Sequence, residues 1–88
     1  MKQIGVGLLG FGTVGAGVVD GLSRNRALMA SRLGVDVVLR RIGDLDVTTD
    51  RGVNVDPSIM TTDAMEVISD PSVDIVVELI GRSEGAHV

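Results

Sequence analysis

Between Gly5 and Gly15 the chain fits the spacing glycine-x-glycine-x-x-glycine twice, as Gly5-Val6-Gly7-Leu8-Leu9-Gly10 and as Gly10-Phe11-Gly12-Thr13-Val14-Gly15. Only one of the two can be a phosphate-binding turn, because such a turn follows a strand and opens a helix. The first register leaves only residues 1–4 as strand and starts the helix inside an apolar run. The second follows the short apolar run of residues 4–9, which reads as a buried strand, and precedes a change of period. Val14, Val18, Leu22, Met29 and Leu33 then recur at multiples of three to four, with Asp20, Arg24, Arg26 and Arg32 elsewhere around the turn, as in an amphipathic helix. In this second register Gly10 permits the tight turn, Gly12 lets the backbone approach a pyrophosphate, and Gly15 lets the helix lie close to the strand. Unsatisfied N–H groups at the helix start then face the anion. An ordinary turn in a chain with 12 glycines among 88 residues also produces such a match. The strand before it, the helix after it and a second strand beyond favour nucleotide binding.

The rest of the chain continues the alternation. Gly17 and Gly21 each cost the helix about 1 kcal/mol against alanine, Asn25 is a candidate break, and Gly34 supplies the stop. Residues 35–42 form a β-branched run ending in Arg40 and Arg41, the second strand, and Gly43-Asp44 turns the chain into a polar surface connection over residues 44–58. Residues 59–61 read as a short third strand. Asp63 and Glu66 have the spacing of a reciprocal capping pair, opening a helix that Asp70-Pro71 ends. Residues 74–80 are the fourth strand, closed by Gly81. The order β-α-β-β-α-β predicts an α/β fold, a partial Rossmann-like parallel sheet with right-handed crossovers, truncated after the fourth strand. Residues 1–81 are then a partial dinucleotide-binding domain and residues 82–88 a short tail.

Composition removes other classes. A length of 88 residues accommodates one domain, and eight Lys and Arg against twelve Asp and Glu leave a net charge of −4, the wrong sign for a nucleic-acid backbone. With no cysteine there is no disulfide framework and no thiolate nucleophile or ligand; with one Phe and no Tyr or Trp the core is aliphatic. No apolar stretch approaches the roughly 18 residues of a membrane span, and Met1-Lys2-Gln3-Ile4 runs into glycines instead of a signal-peptide apolar region. A cytoplasmic protein with no membrane partner is the expectation.

The acid that accepts the adenosine ribose hydroxyl stands about 20 residues beyond the loop. Asp36 meets that count at 21 residues beyond Gly15, but it lies where the second strand begins, whereas ligands sit outside the carboxyl ends of parallel strands. Asp44, 29 residues beyond Gly15 and just past the carboxyl end, is the better candidate, with a solvated turn aspartate as the plainer role. Arg40 and Arg41 are candidate partners for a 2′-phosphate, the mark of NADP over NAD, and on a regular strand they point to opposite faces. Lys2, the only lysine, precedes the first strand, and His87, the only imidazole, sits in the tail. Glu78 lies in the fourth strand, where a buried carboxylate needs a partner. No metal-ligand cluster and no nucleophile-base pair can be assembled, so no catalytic or metal-binding residue is assigned.

Three blocks, residues 4–15, Gly43-Asp44-Leu45-Asp46 and Asp74-Ile75-Val76-Val77-Glu78-Leu79-Ile80-Gly81, resemble the N-terminal segment of homoserine dehydrogenase, over residues 3–81. The resemblance implies an NAD- or NADP-dependent oxidoreductase interconverting aspartate semialdehyde and homoserine, on the route to threonine and methionine. It places Phe11, Thr13 and Val14 in the loop at the cofactor and Ile80 and Gly81 toward its nicotinamide side. Gly43 stands where NADP-preferring members often carry an arginine, which tilts the expectation toward NAD. The usual second glycine after Gly81 is Arg82, and the family's remaining nucleotide-domain half and substrate domain do not follow, so the chain alone is expected to be inactive. The fourth strand is then an exposed apolar edge through which the chain self-associates. Two other readings are a stand-alone dinucleotide-binding or regulatory module without catalysis, and a methyltransferase-like domain holding an adenosyl cofactor.

Overall fold

A computed structural model of the chain describes residues 1–46, 48 and 52–79. Successive side chains of its first strand, β1 (Lys2–Leu9), alternate between two faces that differ in kind. Leu8, and by alternation Val6, faces helix α1 (Thr13–Leu33), where Leu8 packs with Phe11, Ala16 and Val19. Gly5 and Gly7 face the other way. There a Cβ on Gly5 would overlap the Ser72 carbonyl oxygen, and one on Gly7 would sit 2.6 Å from the Val67 side chain.

Helix α1 runs unbroken through Asn25, whose side-chain amide donates to the Gly21 carbonyl at 2.8 Å. It ends at Gly34, left-handed at φ 72°, whose N–H donates to the Ala30 carbonyl. Its buried stripe is narrower than the apolar period predicts. Gly15, Ala16 and Val19 are buried, whereas Val14 and Leu33 are 63% and 67% exposed. Small residues in the first turn bring the helix axis close to the sheet, and the larger side chains flanking that stripe are carried outward.

Strand β2 (Val35–Gly43) pairs with β1 in parallel from Lys2–Val35 to Leu9–Gly43. The register slips once. Val6 pairs with Leu39 and Gly7 with Arg41, leaving Arg40 as the extra residue of a bulge. After the polar connection, a 3-10 turn at Pro57–Ile59 leads into β3 (Met60–Thr61), which pairs with the end of β2. Helix α2 (Ala64–Ile68) begins at Asp63, whose carboxylate accepts from the Met65 N–H at 2.9 Å. The reciprocal half of the expected capping pair does not form. The Asp63 N–H donates to Thr61 Oγ1, and Glu66 takes a hydrogen bond from that same hydroxyl and an ion pair from Arg41. Strand β4 (Ile75–Glu78), shorter than expected, pairs with β1 from Val6–Ile75 to Leu9–Glu78. The fourth-strand residue Ile80, Gly81 and the tail lie outside the described residues.

The sheet order is β3-β2-β1-β4 and every pairing is parallel. Helices α1 and α2 cover opposite faces, since Leu8 and Ile42 pack toward α1 while Gly7 and Gly43 approach Val67 of α2. This is the expected Rossmann-like α/β arrangement. Leu8, Ile42 and Val67 are fully buried, each contributing roughly 1.5–3 kcal/mol by leaving water. From β1 the chain passes over one face to β2, and from β3 over the other face to β4. The two crossovers diverge at β1, so a crevice opens outside the carboxyl ends of β1 and β4.

Candidate functional site

The turn between β1 and α1 sits at that crevice. Gly10 has φ 107°, a conformation that side chains rarely adopt, and its N–H donates to the Gly43 carbonyl at 2.7 Å. Phe11 is 3% exposed and packs its ring into the core with Leu8, Ala16, Val19 and Ile42, so it anchors the turn while its backbone faces the loop. Gly12 precedes the helix in an extended conformation, and a Cβ built on it meets nothing within 4 Å. Gly15 is the opposite case, since a Cβ there would overlap the Gly10 carbonyl oxygen. The helix can cross the turn this closely only with glycine at that position.

These features fit an anionic ligand. The first N–H donated back along the helix is that of Ala16, to the Gly12 carbonyl at 2.9 Å, so the amides of Thr13, Val14 and Gly15 lie ahead of the intrahelical ladder. No side chain caps the helix start and no acidic residue lies in its first turn. The positive end of the helix dipole is thus left without a capping side chain, beside a backbone that carries no Cβ at Gly12. Thr13 and Val14 are exposed at this end. A dinucleotide diphosphate matches both the charge and the space.

Asp44 stands directly past the end of β2, against the turn. Its Oδ2 accepts from the Phe11 N–H at 2.5 Å, its Oδ1 accepts from the Asp46 N–H at 2.8 Å, and its own N–H donates to the Thr61 carbonyl at 3.0 Å. Each carboxylate oxygen retains capacity for a further donor such as a ribose hydroxyl. Gly43 is buried, and a Cβ on it would press on Val67 at 3.0 Å and Leu9 at 3.2 Å, so packing against α2 accounts for that glycine. Asp36 lies at the other end of β2, held in a two-pronged pair by Arg26 at 2.5 and 2.7 Å. The hydrogen bond from Arg26 holds its carboxyl below the ordinary range.

The two arginines depart from the expected alternation. With Arg40 in the bulge, both guanidinium groups lie close enough to Asp70 to help depress its carboxyl, a shift caused first by the Ser72 hydroxyl and amide. Arg40 donates to Gln3 Oε1 at 2.8 Å, while Arg41 pairs with Glu66 and Asp70 and donates to the Ser58 carbonyl. None of these partners belongs to the glycine turn. Glu78 ends β4 exposed, so the burial cost expected for a carboxylate in that strand does not arise. Lys2 lies at the amino end of β1, and His87, Ile80 and Gly81 lie outside the described residues. Sequence reasoning missed the bond between Asp44 and the Phe11 amide, which spans 33 residues and carries no local signature. Among the described residues no group of three or more His, Asp or Glu is placed to hold a metal, and no helix is long and apolar enough to cross a membrane.

Comparison with known proteins points one way. The sequence profile of the homoserine dehydrogenase NAD binding domain matches residues 10–87. The chain is 46% identical over 81 residues to the homoserine dehydrogenase of Methylobacillus glycogenes, covering 92% of this chain and 20% of the relative. Against the Bacillus subtilis homoserine dehydrogenase it is 39% identical over 84 residues, covering 96% and 19%. The crystal structure of Staphylococcus aureus homoserine dehydrogenase at pH 8.5 superposes with a TM-score of 0.80 at 38% identity, covering 89% of this chain and 20% of that one. The chain therefore spans about a fifth of the length of the curated relatives it matches.

Proposed function

We propose that this chain, which belongs to the homoserine dehydrogenase NAD-binding domain family, holds the nicotinamide dinucleotide for hydride transfer between homoserine and aspartate semialdehyde. The observation that carries this reading is the start of α1 without a side-chain cap, beside the open space at Gly12, at the carboxyl end of β1. Gly10 and Gly15 shape the turn, and the amides of residues 12–15 receive the diphosphate. Phe11 holds the turn down by its ring, and Thr13 and Val14 offer their backbone. Asp44 accepts the adenosine ribose hydroxyl, and the role at the nicotinamide side falls by resemblance to Ile80 and Gly81, which lie outside the described residues. Bound there, the cofactor supplies the hydride acceptor or donor.

NAD is the favoured cofactor over NADP. Asp44 places a negative charge beside the ribose position, Gly43 offers no cation there, and the hydrogen bonds and ion pairs of Arg40 and Arg41 go to residues outside the turn. The activity belongs to the biosynthesis of threonine and methionine and takes place in the cytoplasm, without nucleic-acid or membrane partners. The chain alone turns over no substrate in this reading, since it spans about a fifth of the length of the relatives it matches. The outward edge of β4 pairs with a second copy. Calorimetric titration with NADH, NADPH and S-adenosylmethionine tests the reading: NADH binds best and the adenosyl compound does not bind. Binding of S-adenosylmethionine alone, or homoserine oxidation by the isolated chain, overturns the corresponding part.

A further inference from the structure

We infer that Asp44 is a positioning residue for the glycine turn, acting through the Phe11 amide independently of any contact with ribose; the inference rests on the dinucleotide reading above. Two consecutive amides of the turn are tied to two consecutive residues at the end of β2. The Gly10 N–H donates to the Gly43 carbonyl at 2.7 Å, and the Phe11 N–H donates to Asp44 Oδ2 at 2.5 Å. The second tie uses a side chain, and that side chain is itself fixed. The Asp44 N–H is held by the Thr61 carbonyl of β3, and Oδ1 takes the Asp46 N–H.

The tie matters because of what flanks it. Phe11 stands between Gly10 and Gly12, the two positions about which a peptide plane rotates most freely. Its ring is locked in the core, but a buried ring does not determine which way the preceding peptide faces. A carboxylate on the Phe11 N–H does, because turning that amide away would forfeit a short, charge-assisted hydrogen bond. With this plane fixed, the following amides at Gly12, Thr13, Val14 and Gly15 keep a common outward direction. Asp44 therefore presets the anion site and lowers the ordering entropy that diphosphate binding would otherwise cost.

Direct ribose contact and loop positioning separate experimentally. The chain and its Asp44→Ala and Asp44→Asn variants are titrated with NADH and with its analogue lacking the 2′-hydroxyl of the adenosine ribose. Amide hydrogen exchange is followed by NMR. Asp44→Ala is expected to speed exchange at Phe11 at least tenfold while leaving Leu8 and Ile42 protected, and to weaken the analogue about tenfold and NADH, which also loses its ribose acceptor, by at least as much. Asp44→Asn keeps an acceptor without the charge and falls between; it decides the matter if the alanine variant does not fold. Unchanged exchange at Phe11, or an analogue that binds the variant as tightly as the parent while NADH weakens, overturns the inference and leaves the dinucleotide reading standing. Failure of the unaltered chain to bind either dinucleotide overturns the dinucleotide reading and the inference with it.

Discussion

Replacing Gly5 and, separately, Gly12 by alanine adds one methyl group at two sites with opposite surroundings. At Gly5 the new Cβ would overlap the Ser72 carbonyl oxygen and lie 3.0 Å from both the Ser72 carbonyl carbon and Arg40 Cγ. Arginine can shift, but the Ser72 backbone cannot do so freely. The Gly5 N–H donates to Asp74 Oδ2 and the Gly5 carbonyl accepts from the Asp74 N–H, both at 2.7 Å, so the turn before β4 is fastened to the residue being changed. Overpacking of this kind costs about 1–3 kcal/mol, and losing the two hydrogen bonds adds about 0.5–1.5 kcal/mol each, a total of roughly 2–6 kcal/mol. A domain of this size is stable by only about 4–13 kcal/mol, and each kcal/mol moves the melting temperature by roughly 4–8 °C. Gly12 has φ −78° and ψ −156°, which alanine adopts, and open space where its Cβ would go. Stability there changes by less than about 1 kcal/mol, toward greater stability. Far-UV circular dichroism with urea and heat measures both, as the chain has no Trp or Tyr to report by fluorescence. NADH titration supplies the second axis: Gly12→Ala keeps the fold and loses the cofactor by at least about tenfold, because the methyl group occupies the approach of the diphosphate. A Gly5→Ala variant as stable as Gly12→Ala refutes the packing argument. Undiminished NADH binding by Gly12→Ala refutes the assignment of the turn.

Leu8→Ala removes a fully buried side chain shared by the central strand and α1, and lowers stability by about 2–5 kcal/mol by urea titration; a loss under about 1 kcal/mol contradicts the core assignment. Asp36, Asp56 and Asp70 titrate below the ordinary carboxylate range, held there chiefly by the Arg26 hydrogen bond, the Ser58 amide and the Ser72 hydroxyl. Their folded values lie below their unfolded ones, so their stabilisation is complete above about pH 4 and disappears as the pH falls through the folded values. The urea midpoint drops on acidification below that point and Asp70→Asn flattens the drop; an unaltered acid limb in that variant counts against the Ser72 bonds. Val76→Lys places a charge on the partly exposed edge strand, and sedimentation of the variant loses the concentration dependence expected of the parent; equal association in both removes β4 as the contact.

What the sequence shows plainly is whatever its own neighbours determine. The change from a run of apolar residues to a three-to-four period falls at Gly10 to Gly12, so the strand, turn and helix were readable together. Asp44 was separable from Asp36 because strand direction alone assigns them to opposite ends. The features that escaped depend on residues far along the chain. The bulge at Arg40 exists only in relation to β1, and it defeats the alternation that would send Arg40 and Arg41 to opposite faces. Glu66 has capping spacing, but Thr61 and Arg41 compete for its carboxylate with better-placed donors. Val14 belongs to the apolar period by count, yet the small stripe of Gly15, Ala16 and Val19 takes the sheet-facing position.

The two overlapping glycine patterns are joined by more than coincidence of spacing. Gly5 and Gly7 fall two apart because one face of β1 lies against the Ser72–Val73 turn and Val67, and a strand repeats its facing every second residue. That close face lets Asp74 reach Gly5 with both its backbone and its side chain, which delivers β4 into register with β1 at Val6–Ile75. The placement of β4 beside β1, opposite β2, is what makes the crossovers diverge and the crevice open at the carboxyl end. Gly10, Gly12 and Gly15 then stand at the mouth of that crevice. In the proposed reading the first pattern thus acts on the cofactor site at a distance, by seating the strand beside it, while the second meets the ligand with its backbone.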